Sequence, residues 1–426
     1  MKKFQPLEIC ARLFPIVGTI LITQAAAADP TAALRQAVLQ APAVQAAHAR
    51  WQAAVQRQPA AGRLADPQIE GMYSEKRTAA EDIPMWEVTL QQPLPKAGER
   101  AAERARAEAL ARMAEADYAM AAAETAAETA MRLAELATAE ARSALLETQR
   151  ARTEQARAAL DARIAAGQGS SAERLALEAR AADLHLMIAQ DQLMASNAAS
   201  TVRAQLGLAA GAPLPAFAAP QTSDVAEDQS PAARAAAART QETAAMAAMA
   251  RASGRPMTSV GLRFEREQMD EGDEDTVGIA VMAELPWRSR RAGRADLAAA
   301  RSESAASASE AVRARRDAQS AREACQRAAE LAALARELGE QTGRRMEAEY
   351  EALVRSAGTG GMNTGSPVLM LLEILERQTD VRMKTIEADG ALRVARAQLW
   401  AHVPPRLLFE SVETGHAPSL QGEKAP

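Results

Sequence analysis

Trp86-Glu87-Val88-Thr89-Leu90-Gln91-Gln92-Pro93-Leu94-Pro95-Lys96-Ala97-Gly98-Glu99-Arg100 changes from one periodicity to another within a single short stretch. In its first half Trp86, Val88 and Leu90 alternate with Glu87, Thr89 and Gln91, the period of two that gives a strand one apolar and one polar face. After Pro95 and Gly98 the alternation stops. From Glu99 to Ala166 there is neither Gly nor Pro, and these 68 residues are rich in the strong helix formers Ala, Glu, Arg and Leu. As one helix they would reach about 100 Å, too long for a compact domain. Its large apolar residues, among them Leu110, Met113, Leu133, Leu145 and Leu160, are sparse and separated by alanine. Such a helix buries little surface and needs partner helices to stay folded.

Working outward, the same grammar occurs twice. Asp66-Pro67 is matched by Arg255-Pro256, 189 residues on; Leu94-Pro95 by Leu285-Pro286, 191 on; and Arg203-Ala204-Gln205-Leu206 by the identical Arg396-Ala397-Gln398-Leu399, 193 on. The chain beyond its first segment therefore reads as two tandem copies. Each has a shorter helix, two strands, a very long helix, a Gly/Ser turn and a returning helix. The first copy spans 29–210, with strands near 67–75 and 85–92, a long helix over 97–166 and a return over 171–206. The second spans 232–403, with strands near 257–266 and 276–285, a long helix over 291–357 and a return over 366–400. A Pro-rich linker, 211–231, joins them, and 404–426 forms a tail. Gly339 and Gly343 fall inside the second long helix and weaken the expectation that it is continuous.

In all four strands an apolar set opposes a polar one. Ile69 and Tyr73, then Trp86, Val88 and Leu90, then Val260, Leu262 and Phe264, then Val277, Ile279 and Val281 form the first. Gln68 and Glu70, then Glu87, Thr89 and Gln91, then Ser259, Arg263 and Glu265 form the second. Unpaired charges are costly in a dry interior, so the polar set points to water and the apolar set to lipid. Tyr73, Trp86, Phe264 and Trp287 suit a belt at headgroup level. The connections Glu75 to Pro84 and Glu267 to Asp275 are expected as exposed loops, the second strongly acidic. Four strands cannot close a barrel, which takes about eight, and lipid tolerates no open sheet edge. Several copies must therefore pool strands, and a cyclic trimer would supply twelve. The bland alternative is a pair of soluble hairpins capping a coiled coil.

Met1-Lys2-Lys3, the apolar run Leu13 to Ile22 and Ala25 to Ala28 form a secretory signal over 1–28, with cleavage expected near Ala28. The run is too short for a membrane helix, and Cys10 precedes it, which argues against lipidation there. Only Cys325 then remains, so no internal disulfide can form. The net charge of -5 includes +2 from the signal, leaving about -7 and making nucleic acid a poor partner.

The chain resembles the TolC-like outer-membrane factors over nearly its whole mature length. The resemblance is carried by Asp66 to Glu70, Gln91 to Arg100, the tip Arg163 to Leu175 and the duplicated Arg-Ala-Gln-Leu. It implies a mainly α chain with a small β part: a homotrimeric twelve-stranded barrel in the outer membrane of a Gram-negative bacterium, continued by a periplasmic α-helical tunnel. It also implies a passive exit duct, served by a periplasmic adaptor and an inner-membrane RND-type pump. The Gln91 to Arg100 segment is most similar to the heavy-metal efflux branch, so heavy-metal cations, or drugs, are the expected cargo. Adaptor docking is expected at Arg163, Gly167, Gly169, Ser170 and Ser171 with Gly365 and Ser366. The tips lack the acidic ring of the family, and Glu173 and Glu373 are the nearest acids.

No catalytic machinery or cofactor is expected. His48, His185, His402 and His416 are scattered without ligand spacing, and no Gly-rich phosphate loop occurs. Met246 and Met249 lie three apart, where a thioether site for a soft metal competes with simple gap filling against alanine. Two rival functions remain: a conduit for type I protein secretion, and a periplasmic coiled-coil scaffold without a pore.

Overall fold

The computed structural model describes residues 29–77, 82–167, 169–269, 272–284, 289–358 and 367–409. The expected signal, Trp287, Asp270, Glu271, His416, Gly365 and Ser366 lie outside the described residues. Among the described residues, eight α-helices and four strands follow in the order α1 (Pro30–Leu39), α2 (Pro42–Arg57), β1 (Gln68–Arg77), β2 (Asp82–Leu94), α3 (Glu99–Ala165), α4 (Ser171–Leu206), α5 (Pro231–Ser253), β3 (Met257–Met269), β4 (Gly272–Glu284), α6 (Ser289–Gly358), α7 (Pro367–Gln398) and α8 (Pro405–Phe409).

α3 and α6 run 67 and 70 residues without interruption. Gly339 does not break α6. It brings α6 against α7 instead, since a Cβ there would stand 2.5 Å from Thr385 Oγ1. The helix starts follow local chemistry. Asp29 accepts from the Thr31 amide before Pro30, and Ser230 accepts from the Ala233 amide before Pro231. Ser170 and Glu173 form a reciprocal capping box that starts α4.

α3 packs against α2, α4, α5 and α7, while α6 packs against α5 and α7. Alanines such as Ala122, Ala126 and Ala130 are buried in these seams, allowing close approach where leucine would not fit. The main core gathers Leu34, Val38, Val44, Leu133, Val202, Trp400 and Leu408. Two expectations change here. The leading helix of the first copy is split into α1 and α2 at Ala41-Pro42. Part of the expected tail, α8, is core structure: Leu408 is buried, Phe409 stacks on Tyr118 at 5.0 Å, and Arg35 donates to the Leu407 carbonyl at 2.7 Å.

The four strands form one antiparallel sheet in sequence order, β1-β2-β3-β4, leaving β1 and β4 as edges. The hairpins are longer than expected. Most of what was read as loop over 75–84 and 267–275 is paired strand: Glu75 faces Pro84, and Glu267 faces Glu274.

Candidate functional site

Register aligns the apolar set into one continuous face. Ile69 pairs with Leu90, which pairs with Leu262, which pairs with Ile279; Tyr73 pairs with Trp86; Val88 pairs with Phe264, and Phe264 with Val277; Val260 pairs with Val281. Every one of these side chains is exposed in the single chain, Ile279 to 76% and Ile69 to 75%. So large a bare apolar surface is not left to water in a folded protein. Tyr73 and Trp86 contact at 4.8 Å between ring centres near the hairpin end, while Phe264 sits two register pairs further in.

The opposite face is polar and internally bonded. Arg263 bridges Glu87 at 2.9 Å and Glu265 at 3.1 Å, Thr89 donates to Glu87 at 3.2 Å, and Gln91 donates to Ser259 at 2.8 Å. Gln68 and Glu70 share this face through their pairing with Gln91 and Thr89. Met72 and Met282, which the sequence reading did not assign, also lie on it and are exposed.

From the aromatic pair outward both faces carry charge, beginning with Arg266, the register partner of Trp86. Arg266 makes a two-pronged contact with Asp275 at 2.7 and 2.9 Å, and Lys76 lies 3.6 Å from Glu267.

At the far end of the helices, Gly167 turns the chain with φ +77°, and Gly169 lies against Ile164. Gly167, Ser170 and Ser171 are exposed, and Arg163 is half-buried. Leu160, Leu177 and Leu372 form a small core under the turn, joining the α3–α4 tip to α7. Leu175, Leu369 and Met370 are exposed nearby, Leu175 to 67%. The sequence reading did not single these out as docking residues. Glu173 is occupied by its cap and Glu373 by Arg377 at 2.6 Å.

Higher up, Arg142 of α3 lies 3.3 Å from the buried Asp191 of α4 and 3.8 Å from Glu387 of α7, beside a cavity of about 510 Å³. Burial pushes the Asp191 carboxyl above the usual range, against the lowering effect of Arg142. His48 belongs to an aromatic stack with Trp51 and Tyr118, and burial lowers the pKa of His402. Among the described residues no group of three His, Cys, Asp or Glu is placed to hold a metal, and no helix is long and apolar enough to cross a membrane. Met246 and Met249 are half-buried in α5, with Met249 on the wall of a cleft beside α3.

No family model matches the chain, and no curated protein does. Solved structures do. The outer membrane protein VceC from Vibrio cholerae superposes with a TM-score of 0.71 at 17% identity, covering 87% of this chain and 94% of the other. The chain has the fold of an outer-membrane channel. The CmeC outer membrane channel of Campylobacter jejuni gives a TM-score of 0.67 at 12% identity, with 91% and 89% covered. The open-state MtrE outer membrane channel of Neisseria gonorrhoeae gives 0.63 at 15% identity, with 88% and 89% covered. The mostly helical chain with one small antiparallel sheet matches these neighbours across nearly their full length.

Proposed function

We propose that three copies of this chain form an outer-membrane channel of the TolC-like kind, the passive exit duct of a tripartite efflux system. The observation that carries this is the sheet: four strands with two open edges, one bare apolar face and one charged face. Closing edge to edge, β4 of one copy on β1 of the next, satisfies the strand ends and turns the apolar set to lipid. Gln68, Glu70, Glu87, Thr89, Gln91, Ser259, Arg263 and Glu265 then line a wet lumen.

The helices support the same assembly. α4 carries exposed Leu186, Leu193 and Met194, and α6 carries exposed Leu331, Leu334 and Leu338. These stripes lie on the outer members of the layer, with α3 and α7 between them, so α4 of one copy would pack on α6 of its neighbour. Substrate enters at the tips, where a periplasmic adaptor docks on the small residues Gly167, Gly169, Ser170 and Ser171 beside Arg163, with Gly365 and Ser366 from the second tip. Energy comes from an inner-membrane RND-type pump. The Gln91 to Arg100 segment makes heavy-metal cations the first cargo to test, with drugs second.

The test is export from a deletion strain carrying Gly167→Trp or Ser170→Trp. Lost resistance to metals and drugs, with trimers still present in the outer membrane, is the expected result. Unchanged resistance would remove the docking assignment, and resistance lost only to a secreted protein would favour the type I conduit.

A further inference from the structure

Four arginines lie around the turn at Gly62, at the foot of the sheet, and Arg63 donates from Nε to the Pro59 carbonyl at 3.1 Å. Arg100 donates from Nε to the Gly62 carbonyl at 2.8 Å. Arg104 lies across the same residue, its Nε 3.0 Å from the place a Cβ would take. Arg63 and Arg106 line a cleft of about 320 Å³ beside this turn, walled otherwise by Glu103 and by apolar residues including Ala61, Leu110 and Met249. Gly62 itself has φ +67° and its Cβ would strike the Arg100 carbonyl at 2.8 Å, so the turn admits only glycine there without strain.

Of the residues lining this cleft only Glu103 is acidic, against Arg63 and Arg106, with Arg100 and Arg104 at the adjoining turn. Among the described residues none of the four arginines is ion-paired with a carboxylate, and the Nε of Arg106 is buried with no hydrogen-bond partner. Further along, some arginines have acids: Arg112 with Glu108 at 3.2 Å, Arg132 with Glu135 at 2.8 Å, Arg239 with Glu310 at 2.8 Å. At the opposite end of the sheet both Lys76 and Arg266 are paired. One carboxylate, Glu103, does not balance the arginines around it, and an external anion relieves the remaining repulsion.

The place of the turn narrows the anion. Gly62 lies six residues before β1 begins at Gln68, on the side of the sheet from which the long helices leave. With the sheet in the bilayer, this is headgroup level in the periplasmic leaflet. Cations with long stems reach such headgroups readily, and the apolar wall gives an acyl chain a surface to follow.

We propose that the Gly62 turn binds the phosphate of an anionic phospholipid of the periplasmic leaflet, through Arg63, Arg104 and Arg106. The inference rests on the reading that places the sheet in the membrane. The test uses full-length protein extracted from the outer membrane, comparing wild type, the triple variant Arg63→Gln/Arg104→Gln/Arg106→Gln and the ion-paired control Arg239→Gln. Each is given dioleoylphosphatidylglycerol, dioleoylphosphatidylcholine or inorganic phosphate, and the thermal midpoint of sheet loss is followed by circular dichroism. Phosphatidylglycerol raises the midpoint in wild type and control, and the triple variant loses at least half of that shift. The single variant Arg106→Gln gives the same reading at smaller amplitude if the triple variant does not fold. An undiminished shift in the variants, or an equal shift from phosphatidylcholine or phosphate alone, overturns the site. Flotation with vesicles separates the two levels: binding equally to both lipids sinks only the headgroup site, whereas binding to neither sinks the membrane reading with it.

Discussion

Arg152 of α3 holds Glu347 of α6 with both terminal guanidinium nitrogens, at 3.3 and 3.1 Å. The same arginine donates to Gln378 of α7 at 2.8 Å, Gln378 donates back to Glu347 at 2.5 Å, and the Tyr350 ring lies 5.4 Å from the guanidinium carbon. One side chain thus ties the first hairpin to both helices of the second. Gln378 is fully buried, so its amide depends on these partners.

Arg152→Ala leaves Glu347 and Gln378 short of a partner and is expected to cost about 1–3 kcal/mol, read from urea unfolding. Arg152→Lys restores only part of this, because a point charge cannot reproduce the two-pronged contact. Equal recovery by Lys would mean that charge alone holds the joint.

Glu347 gives the joint a pH signature. Burial alone would raise its pKa, but the hydrogen bonds from Gln378 and Arg152 and the charges of Arg152 and Arg382 outweigh that and hold it below the usual range. The native state therefore binds fewer protons than the unfolded state near the ordinary carboxylate pKa of about 4.3. The stabilisation is complete above that value and is lost as pH falls through the lower, folded one. Glu347→Gln should flatten this acid limb in denaturation midpoints measured across it; an unchanged limb would place the dependence elsewhere.

The two faces of the sheet should respond oppositely to charge. Ile279→Arg puts a cation on the apolar face and is expected to cost roughly 2–4 kcal/mol if that position lies near mid-membrane. Its outer-membrane yield should fall. Glu265→Gln, on the other face, should leave yield unchanged and alter ion selectivity in planar bilayers.

Trp400 anchors the main core: it is buried, and its indole Nε1 donates to the Ala218 carbonyl at 3.1 Å. Trp400→Ala should cost about 3–5 kcal/mol, and Trp400→Phe less, since it keeps most of the volume and loses the hydrogen bond. Comparable losses from the two would show that the hydrogen bond, not the packing, matters most.

The strands were legible because Trp86-Glu87-Val88-Thr89-Leu90 alternates wherever one face meets water and the other does not. Their hairpin ends were not. Around Lys76, Arg266 and Asp275 both faces are polar, so alternation vanishes while backbone pairing continues. The long helices followed from the lack of Gly and Pro, yet Gly339 misled, because close packing against Thr385 and a helix break leave the same mark in a sequence. The Arg152 joint could not be foreseen: its partners lie 195 and 226 residues away, and the local run shows only one more charge on a charged helix. The cluster at Gly62 is hidden for a related reason, since only the folded turn brings Arg63 beside the arginines of α3.

The central claim is that copies of this chain pool four strands each into a closed barrel. It is tested most directly by the mass of the intact particle extracted from outer membranes, measured by light scattering with the detergent contribution subtracted. A mass of three chains is the predicted result. A single-chain mass, with the protein recovered from the soluble periplasmic fraction, would contradict it.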